Sequence, residues 1–212
     1  AETVAASAVT ARTLNTGQSC IAAKRFIVVD QIADRFEAAL VDSIEALVVG
    51  DPLDAQTQIG PLARRDLVDE LDDQVRRAVA DGARVLTGGG RLDRPGFYYA
   101  PTVLSGVEPG SPVFDEETFG PVAPVVRARD REHAVELANR TPFGLGASLW
   151  TGDPAAAEEL IPRIDAGSVF VNGIVKSDPR LPFGGVKASG YGRELSGFGI
   201  REFVNVKTFW VG

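Results

Sequence analysis

The sequence predicts an α/β fold, an open and mostly parallel sheet flanked by helices, ending in a strand of the kind that pairs with another subunit. Three observations carry this expectation. Short runs rich in β-branched residues alternate along the whole chain with apolar residues at helical spacing. No internal repeat and no linker rich in Pro, Gly or Ser divides the chain, so 1–212 reads as one domain. The composition, 44% hydrophobic and 24% charged, is near the globular average and excludes a disordered or fibrous chain.

Residues 1–14 are small and apolar and suit a helix, which Asn15, Thr16 and Gly17 break. Residues 24–30 (KRFIVVD) read as a buried strand, and residues 32–48 place Ile32, Phe36, Ala39, Leu40, Ile44 and Leu47 at helical spacing. Turn formers make residues 51–61 (DPLDAQTQIGP) a loop, and residues 63–81 follow as a charged amphipathic helix stopped by Gly82. A short strand at 83–87 leads into residues 88–101, whose glycines and prolines favour an irregular, mobile surface segment or a hairpin. Residues 102–107, 122–128, 146–150 and 168–171 read as strands, and 131–139 and 154–164 as helices. In such a sheet a ligand site lies beyond the carboxyl ends of the strands. Residues 203–211 (FVNVKTFWV) alternate like an edge strand, about 200–212 in all, and predict a homo-oligomer built through it.

The net charge is −7 at pH 7, and no stretch gathers Lys and Arg into a face that would neutralise a phosphate backbone, which argues against nucleic acid. No apolar run reaches the ~18 residues of a membrane span, and no basic and then apolar leader opens the chain. A cytoplasmic protein with no membrane partner is expected. One cysteine, Cys20, and one histidine, His133, exclude an internal disulfide and a cysteine-based metal cluster, so no metal is expected.

Cys20 stands in NTGQSCIAAKR. The glycine and small residues would let the backbone approach a ligand, and a helical turn starting near the thiol would lower its pKa and make it a nucleophile. The same residue also reads as a small buried hydrophobe. His133, in REHAVELAN on a charged helix, reads as solvent-exposed, so a nucleophilic Cys20 would take its base from a carboxylate, water or a group outside the chain. FDEETFGPV joins Glu116 and Glu117 to Phe119, Gly120 and Pro121, either a solvated loop or a turn presenting a carboxylate into a cleft. PFGGVKASGYGRE holds four glycines in nine residues, from Gly184 to Gly192, which implies a tight backbone course near a site or subunit contact, or a structural turn. No phosphate-cradling glycine motif is present.

Taken in this order and spacing, NTGQSCIAAKR, EETFGPV and PFGGVKASGYGRE, with NGIVKSDPRLPFGG before the last, resemble the aldehyde dehydrogenase superfamily over the whole chain. CIAAKRFIV, VGDPLD, TQIGPLAR and VKSDPRLPFGGVKASGYGREL are similar to its bacterial succinate-semialdehyde dehydrogenases, which use NAD or NADP. The resemblance implies the catalytic domain of an oxidoreductase acting on a small aldehyde. In it the Cys20 thiolate attacks the aldehyde carbon, the thiohemiacetal gives its hydride to the nicotinamide, and a thioester is left for hydrolysis. The resemblance also implies that the backbone N–H of Cys20 holds part of the oxyanion, that Glu117 hydrogen-bonds the nicotinamide ribose, and that Phe119 packs beside the ring.

By the same resemblance, residues 175–180 form the substrate access loop. Lys176, Ser177 and Arg180 are then candidates to hold the far carboxylate of a semialdehyde, for which a bidentate Arg is the stronger device. Leu14 stands where some semialdehyde dehydrogenases carry an arginine, and Ala22 where some carry a second cysteine, which removes a disulfide with the nucleophile. Family members are more than twice as long. The resemblance implies that the dinucleotide-binding fold, the general-base glutamate, the asparagine of the oxyanion hole and the oligomerisation hairpin lie outside this chain. NAD or NADP is then expected in the full-length enzyme and not bound to this fragment, which should not turn over alone. The alternative is a non-catalytic remnant or an assembly module that pairs through its terminal strand.

Overall fold

In the computed structural model, which describes residues 2–212, the first predicted helix is α1 (Glu2–Thr13), with Ala5, Ala8, Val9 and Arg12 buried. Ala1, where that helix was expected to begin, lies outside the described residues. A 3-10 turn at Leu14–Gly17 ends it, with Asn15 and Thr16 at φ 51° and 58°, so the predicted breakers do break the helix. β1 (Phe26–Val29) runs directly into α2 (Asp30–Glu45). α3 (Arg65–Ala80) stops before Gly82, whose φ of +107° is open to glycine at little cost. β2 (Arg84–Thr87), β3 (Thr102–Ser105), α4 (Pro112–Asp115), β4 (Val122–Ala128) and α5 (Arg131–Asn139) complete a first unit, Ala1–Thr141.

The sheet of this unit has the order β1-β4-β3-β2. β4 lies between β1 and β3 and is parallel to both, while β2 adds an antiparallel edge. The sequence explains β4's central place: VAPVV is apolar without alternation, as a strand covered on both faces must be. Ala123 and Val125 pack with Val28, Phe36 and Leu40 under α1 and α2, whereas Val122 and Val126 pack with Leu71, Val75 and Phe114 on the opposite face. Each such side chain contributes roughly 1.5–3 kcal/mol when fully buried. Arg127, the one partly exposed position of β4, binds Glu37 at 2.7 Å and Asp34 at 2.6 Å, and Ser105 donates to the same Glu37 carboxylate.

Residues 88–101 resolve toward the hairpin alternative. Arg91 bridges Tyr99, and the Ala100 N–H donates to the Gly90 carbonyl at 2.9 Å. The segment is less superficial than its glycines suggest, because Tyr98 and Tyr99 are buried and the Tyr98 hydroxyl donates to the Gly50 carbonyl at 3.0 Å. Aromatic burial outweighs the local turn composition.

The second unit, Pro142–Gly212, holds two small sheets. β5 (Phe143–Gly144) pairs antiparallel with β8 (Val186–Lys187), and β6 (Ala147–Leu149) pairs parallel with β7 (Val169–Val171). α6 (Pro154–Leu160) is capped by Asp153, whose carboxylate accepts from the backbone of Ala155 and Ala156. The helix expected over 154–164 tightens to a 3-10 turn at Ile161–Arg163, where Pro162 has no N–H to continue the α ladder. α7 (Ser196–Glu202) follows. Neither the two-residue strands nor this glycine-bearing helix has enough length to set a periodicity. The strand predicted over 203–211 does not form within this chain: residues 205–212 have no regular structure, and Phe203 is the C-cap of α7. A strand needs a neighbour for its backbone groups, and no described residue supplies one there. Among the described residues no helix is long and apolar enough to cross a membrane.

Candidate functional site

Cys20 sits at the tip of a tight turn between α1 and β1. The Ala22 N–H donates to the Ser19 carbonyl at 3.1 Å, and the Ala23 N–H returns to the Ala11 carbonyl at 3.0 Å, which pins the turn to the end of α1. The sulfur is exposed, and Ala22 takes the buried position that a hydrophobic cysteine would have filled. No helix starts at the thiol, contrary to expectation. A turn held on both sides replaces it, and among the described residues the Cys20 N–H donates to no protein acceptor.

A second loop, residues 116–121, approaches this turn through glycine. Gly17 has a φ of +78°, and a Cβ there would collide with the Gly120 carbonyl, while a Cβ on Gly120 would collide with Leu71. The glycine of NTGQSC thus serves close approach of two protein loops. Below them lies Arg12, fully buried, whose Nη2 donates to the Gly17 carbonyl at 2.8 Å and to the Thr118 carbonyl at 3.5 Å. Its Nε and Nη1 have no hydrogen-bond partner among the described residues. Burial pushes the Arg12 guanidinium down to about 10, against the opposing pull of Glu117. Arg12 therefore acts as a strut joining the carbonyls of both loops.

Glu116 and Glu117 have different surroundings. Glu116 is clamped to α3 by Arg77, with both N–O distances 2.9 Å, and by Gln74 at 3.1 Å. The Arg77 fork, helped by Gln74, holds the Glu116 carboxyl below its ordinary range. Glu117 points the other way: its side chain is 46% exposed and faces Lys24 at 3.8 Å. Lys24 Nζ also donates to the Ser19 carbonyl at 2.8 Å and lies 4.8 Å from the centre of the Phe119 ring. Burial, then the nearby Arg12 charge, push the Lys24 ammonium down to about 8, opposed by Glu117 and Cys20. Cys20, Glu117 and Phe119 are thus brought together, with Lys24 between the two loops. The Glu117 carboxylate keeps open oxygens that can accept from sugar hydroxyls, and Phe119 is only partly buried.

A third segment locks the first. The Gln18 side chain accepts from the Ala63 N–H at 2.8 Å, and the Thr16 hydroxyl accepts from the Gly60 N–H at 3.3 Å. His133 is half-buried where an exposed residue was expected. Its Nδ1 accepts from the Arg129 N–H at 3.2 Å, and its own N–H is capped by Asp130 at 2.8 Å, so its ring stabilises the start of α5. No group of three or more His, Cys, Asp or Glu able to hold a metal gathers among the described residues.

Lys176, Ser177 and Arg180 belong to the second unit, and all three are exposed. Arg180 already grips Asp178, Nε at 2.9 Å and Nη2 at 2.6 Å, and this pair draws the Asp178 carboxyl down to about 2. Its fork is therefore engaged within its own loop. The glycine-rich turn of the same unit is a packing device. Phe183 and Glu194 exchange backbone hydrogen bonds at 2.9 and 2.7 Å, Arg193 caps the Gly185 and Gly192 carbonyls at 2.8 and 2.6 Å, and a Cβ on Gly167 would collide with the Gly184 carbonyl.

Sequence reasoning missed Arg12 and Lys24. Arg12 had a readable signal, a lone cation on the apolar side of a helix that otherwise buries Ala5, Ala8 and Val9. Lys24 had none, since one lysine beside an arginine before a strand is ordinary.

A family model described as "Aldehyde dehydrogenase family" matches residues 1–209. The chain is 54% identical over 206 residues to a protein of Mycobacterium ulcerans named succinate-semialdehyde dehydrogenase [NADP(+)] 1, covering 97% of this chain and 45% of that protein. It is 52% identical over 204 residues to a probable succinate-semialdehyde dehydrogenase [NADP(+)] of Synechocystis, covering 96% and 45%. Among solved structures, succinic semialdehyde dehydrogenase from Streptococcus pyogenes in complex with NADP+ superposes with a TM-score of 0.94 at 36% identity, covering 98% of this chain and 46% of that one. The chain therefore spans less than half the length of the relatives it matches.

Proposed function

Because this chain belongs to the aldehyde dehydrogenase family, we propose that it carries the nucleophile of an NADP-dependent oxidation of a small aldehyde, succinate semialdehyde by its relatives' names, with Cys20 as the attacking group. One observation supports this above the others: the chain's single cysteine is exposed at the tip of a pinned turn that Lys24 links to Glu117 and Phe119. The thiolate forms an S–C bond to the aldehyde carbon, and the carbonyl oxygen takes up the electron pair as an oxyanion. The free N–H of Cys20 donates to that oxygen. A nicotinamide cofactor, when bound, supplies the acceptor for the hydride that leaves the thiohemiacetal carbon. Glu117 would accept from its ribose hydroxyls and Phe119 would pack against its ring. Water then cleaves the thioester and releases the acid and the thiol. For the far carboxylate the resemblance offers Lys176, Ser177 and Arg180, the last with its fork already held by Asp178.

The test uses the chain itself. An activated aryl ester should give a burst of phenolate equal to the enzyme added, and Cys20→Ala should abolish it; an equal burst from Cys20→Ala would overturn the assignment. The isolated chain should show no dehydrogenase turnover, and calorimetric titration should detect no micromolar NADP site.

Assembly is part of the reading and is favoured by the exposed C-terminal segment, where Phe209 and Trp210 are 84% and 87% accessible. Residues 203–211 would become a strand on the sheet edge of another subunit, which supplies the missing ladder.

A further inference from the structure

Three polar features of this chain lie outside its apolar clusters: the unpaired nitrogens of Arg12, the shallow groove between α3 and α4, and Lys24. The groove is lined by Arg77, Asp81, Asp115 and Glu116 and holds no enclosed cavity. Arg12 is fully inside and reaches neither Cys20 nor solvent. Lys24 is different, because its ammonium contacts both loops of the candidate site at once.

We propose that Lys24 is a positioning residue whose positive charge ties the Cys20 turn to the loop carrying Glu117 and Phe119, and sets the electrostatic surroundings in which the Cys20 thiolate forms. Its three contacts differ in what they require. A neutral amine could still donate to the Ser19 carbonyl at 2.8 Å, the residue before the nucleophile. Attraction to Glu117 at 3.8 Å and to the Phe119 ring face at 4.8 Å needs the cation. So does any field that favours the thiolate over the thiol at Cys20.

The charged groups that face Lys24 are Arg12 from α1, Glu117 from the second loop, and Cys20 itself. Arg12 opposes the ammonium, while Glu117 and Cys20 favour it, so the Lys24 charge is balanced rather than secured. Arg25, the next residue, takes no share in this. It lies 5.1 Å from the centre of the Phe114 ring, and the charge that acts on it is that of Asp115. Burial has pushed Lys24 to about 8, so a modest rise in pH removes the cation from between Glu117 and the Cys20 turn. As a role in catalysis this rests on the reading of Cys20 as the nucleophile.

Iodoacetamide reacts with the thiolate, and the chain has one cysteine, so the alkylation rate against pH reports Cys20 alone. Lys24→Gln should move the midpoint of that profile upward and slow alkylation about 3–10-fold near neutral pH, as expected for removing one nearby cation. Lys24→Arg should restore the wild-type midpoint. Circular dichroism separates folding from charge; if Lys24→Gln fails to fold, Glu117→Gln reads the same link from the other side, and removing that anion should move the midpoint down. A folded Lys24→Gln with the wild-type profile would overturn the proposal, as would an Arg variant that behaves like Gln. The midpoint shift is read whatever the absolute rate. A wild-type Cys20 no faster than a free thiol, with the shift still present, would sink the nucleophile reading and leave the Lys24 link standing.

Discussion

In the first unit the apolar side chains of sheet and helices close on one another: Leu71, Val75, Phe114 and Val122 on one face of the sheet, and Val28, Phe36, Leu40 and Val125 on the other, are all buried. In the second unit only Ala157 and Leu160 join the buried apolar set, while Phe143, Leu181, Tyr191, Phe198, Phe209 and Trp210 stay exposed. That unit is held instead by backbone hydrogen bonds, the close approach of Gly167 to Gly184, and Arg193 on two carbonyls. The difference teaches where each unit finds its stability. The first carries its own hydrophobic core, and with it the geometry around Cys20. The second leaves much of its apolar surface uncovered.

The contrast is broken most severely by truncating the core. Phe114→Ala should lower stability by ~3–5 kcal/mol in chemical denaturation, since a ring packed against both sheet and α3 is lost and a cavity remains. A small loss would mean that the first unit does not rest on this core. Gly17→Ala comes next, at about 2–4 kcal/mol, because it combines a positive φ with a clash against the Gly120 backbone. The same variant should slow Cys20 alkylation as the two loops separate; an unchanged rate would show that the sulfur does not depend on their contact.

A gentler test is alkaline pH. The folded Lys24 titrates at about 8, against 10.5 for an ordinary lysine, so below pH 8 the folded chain bears the cost of a buried cation. Between these values the unfolded chain binds the proton that the folded one has lost, so stability should rise with pH. The gain should be on the order of 1–3 kcal/mol by pH 10.5. Denaturation midpoints across that window should show the rise in wild type and not in Lys24→Gln. The smallest effect sharpens the comparison from the other unit. Trp210→Ser should change monomer stability by less than about 0.5 kcal/mol, because an exposed ring loses little. A larger loss would mean that the tail is packed after all.

Some of this organisation was legible in residue order. The continuous apolar run of β4 and the helical spacing of α2 and α3 are local patterns, and so are the breakers Asn15 to Gly17. A chain whose local preferences agree with its fold displays them openly. The resemblance singled out Cys20, Glu117 and Phe119, and the Lys24 ammonium links the turn of the first to the loop of the other two. The alternation of the terminal segment makes a strand possible without supplying the neighbour that would pair it, and no described residue does so. Residues 88–101 were partly misread because the burial of Tyr98 and Tyr99 is a long-range event.

The sequence by itself determined the α/β alternation, the family, and the one residue able to act as a sulfur nucleophile. Those follow from periodicity, motif spacing and a cysteine count of one. Only the tertiary structure decided that Gly17 serves contact with Gly120, that Arg12 braces two carbonyls far apart in sequence, and that Lys24 stands between Cys20 and Glu117. Each depends on where two distant loops meet, and a buried cation takes its state from neighbours that no local stretch of chain contains.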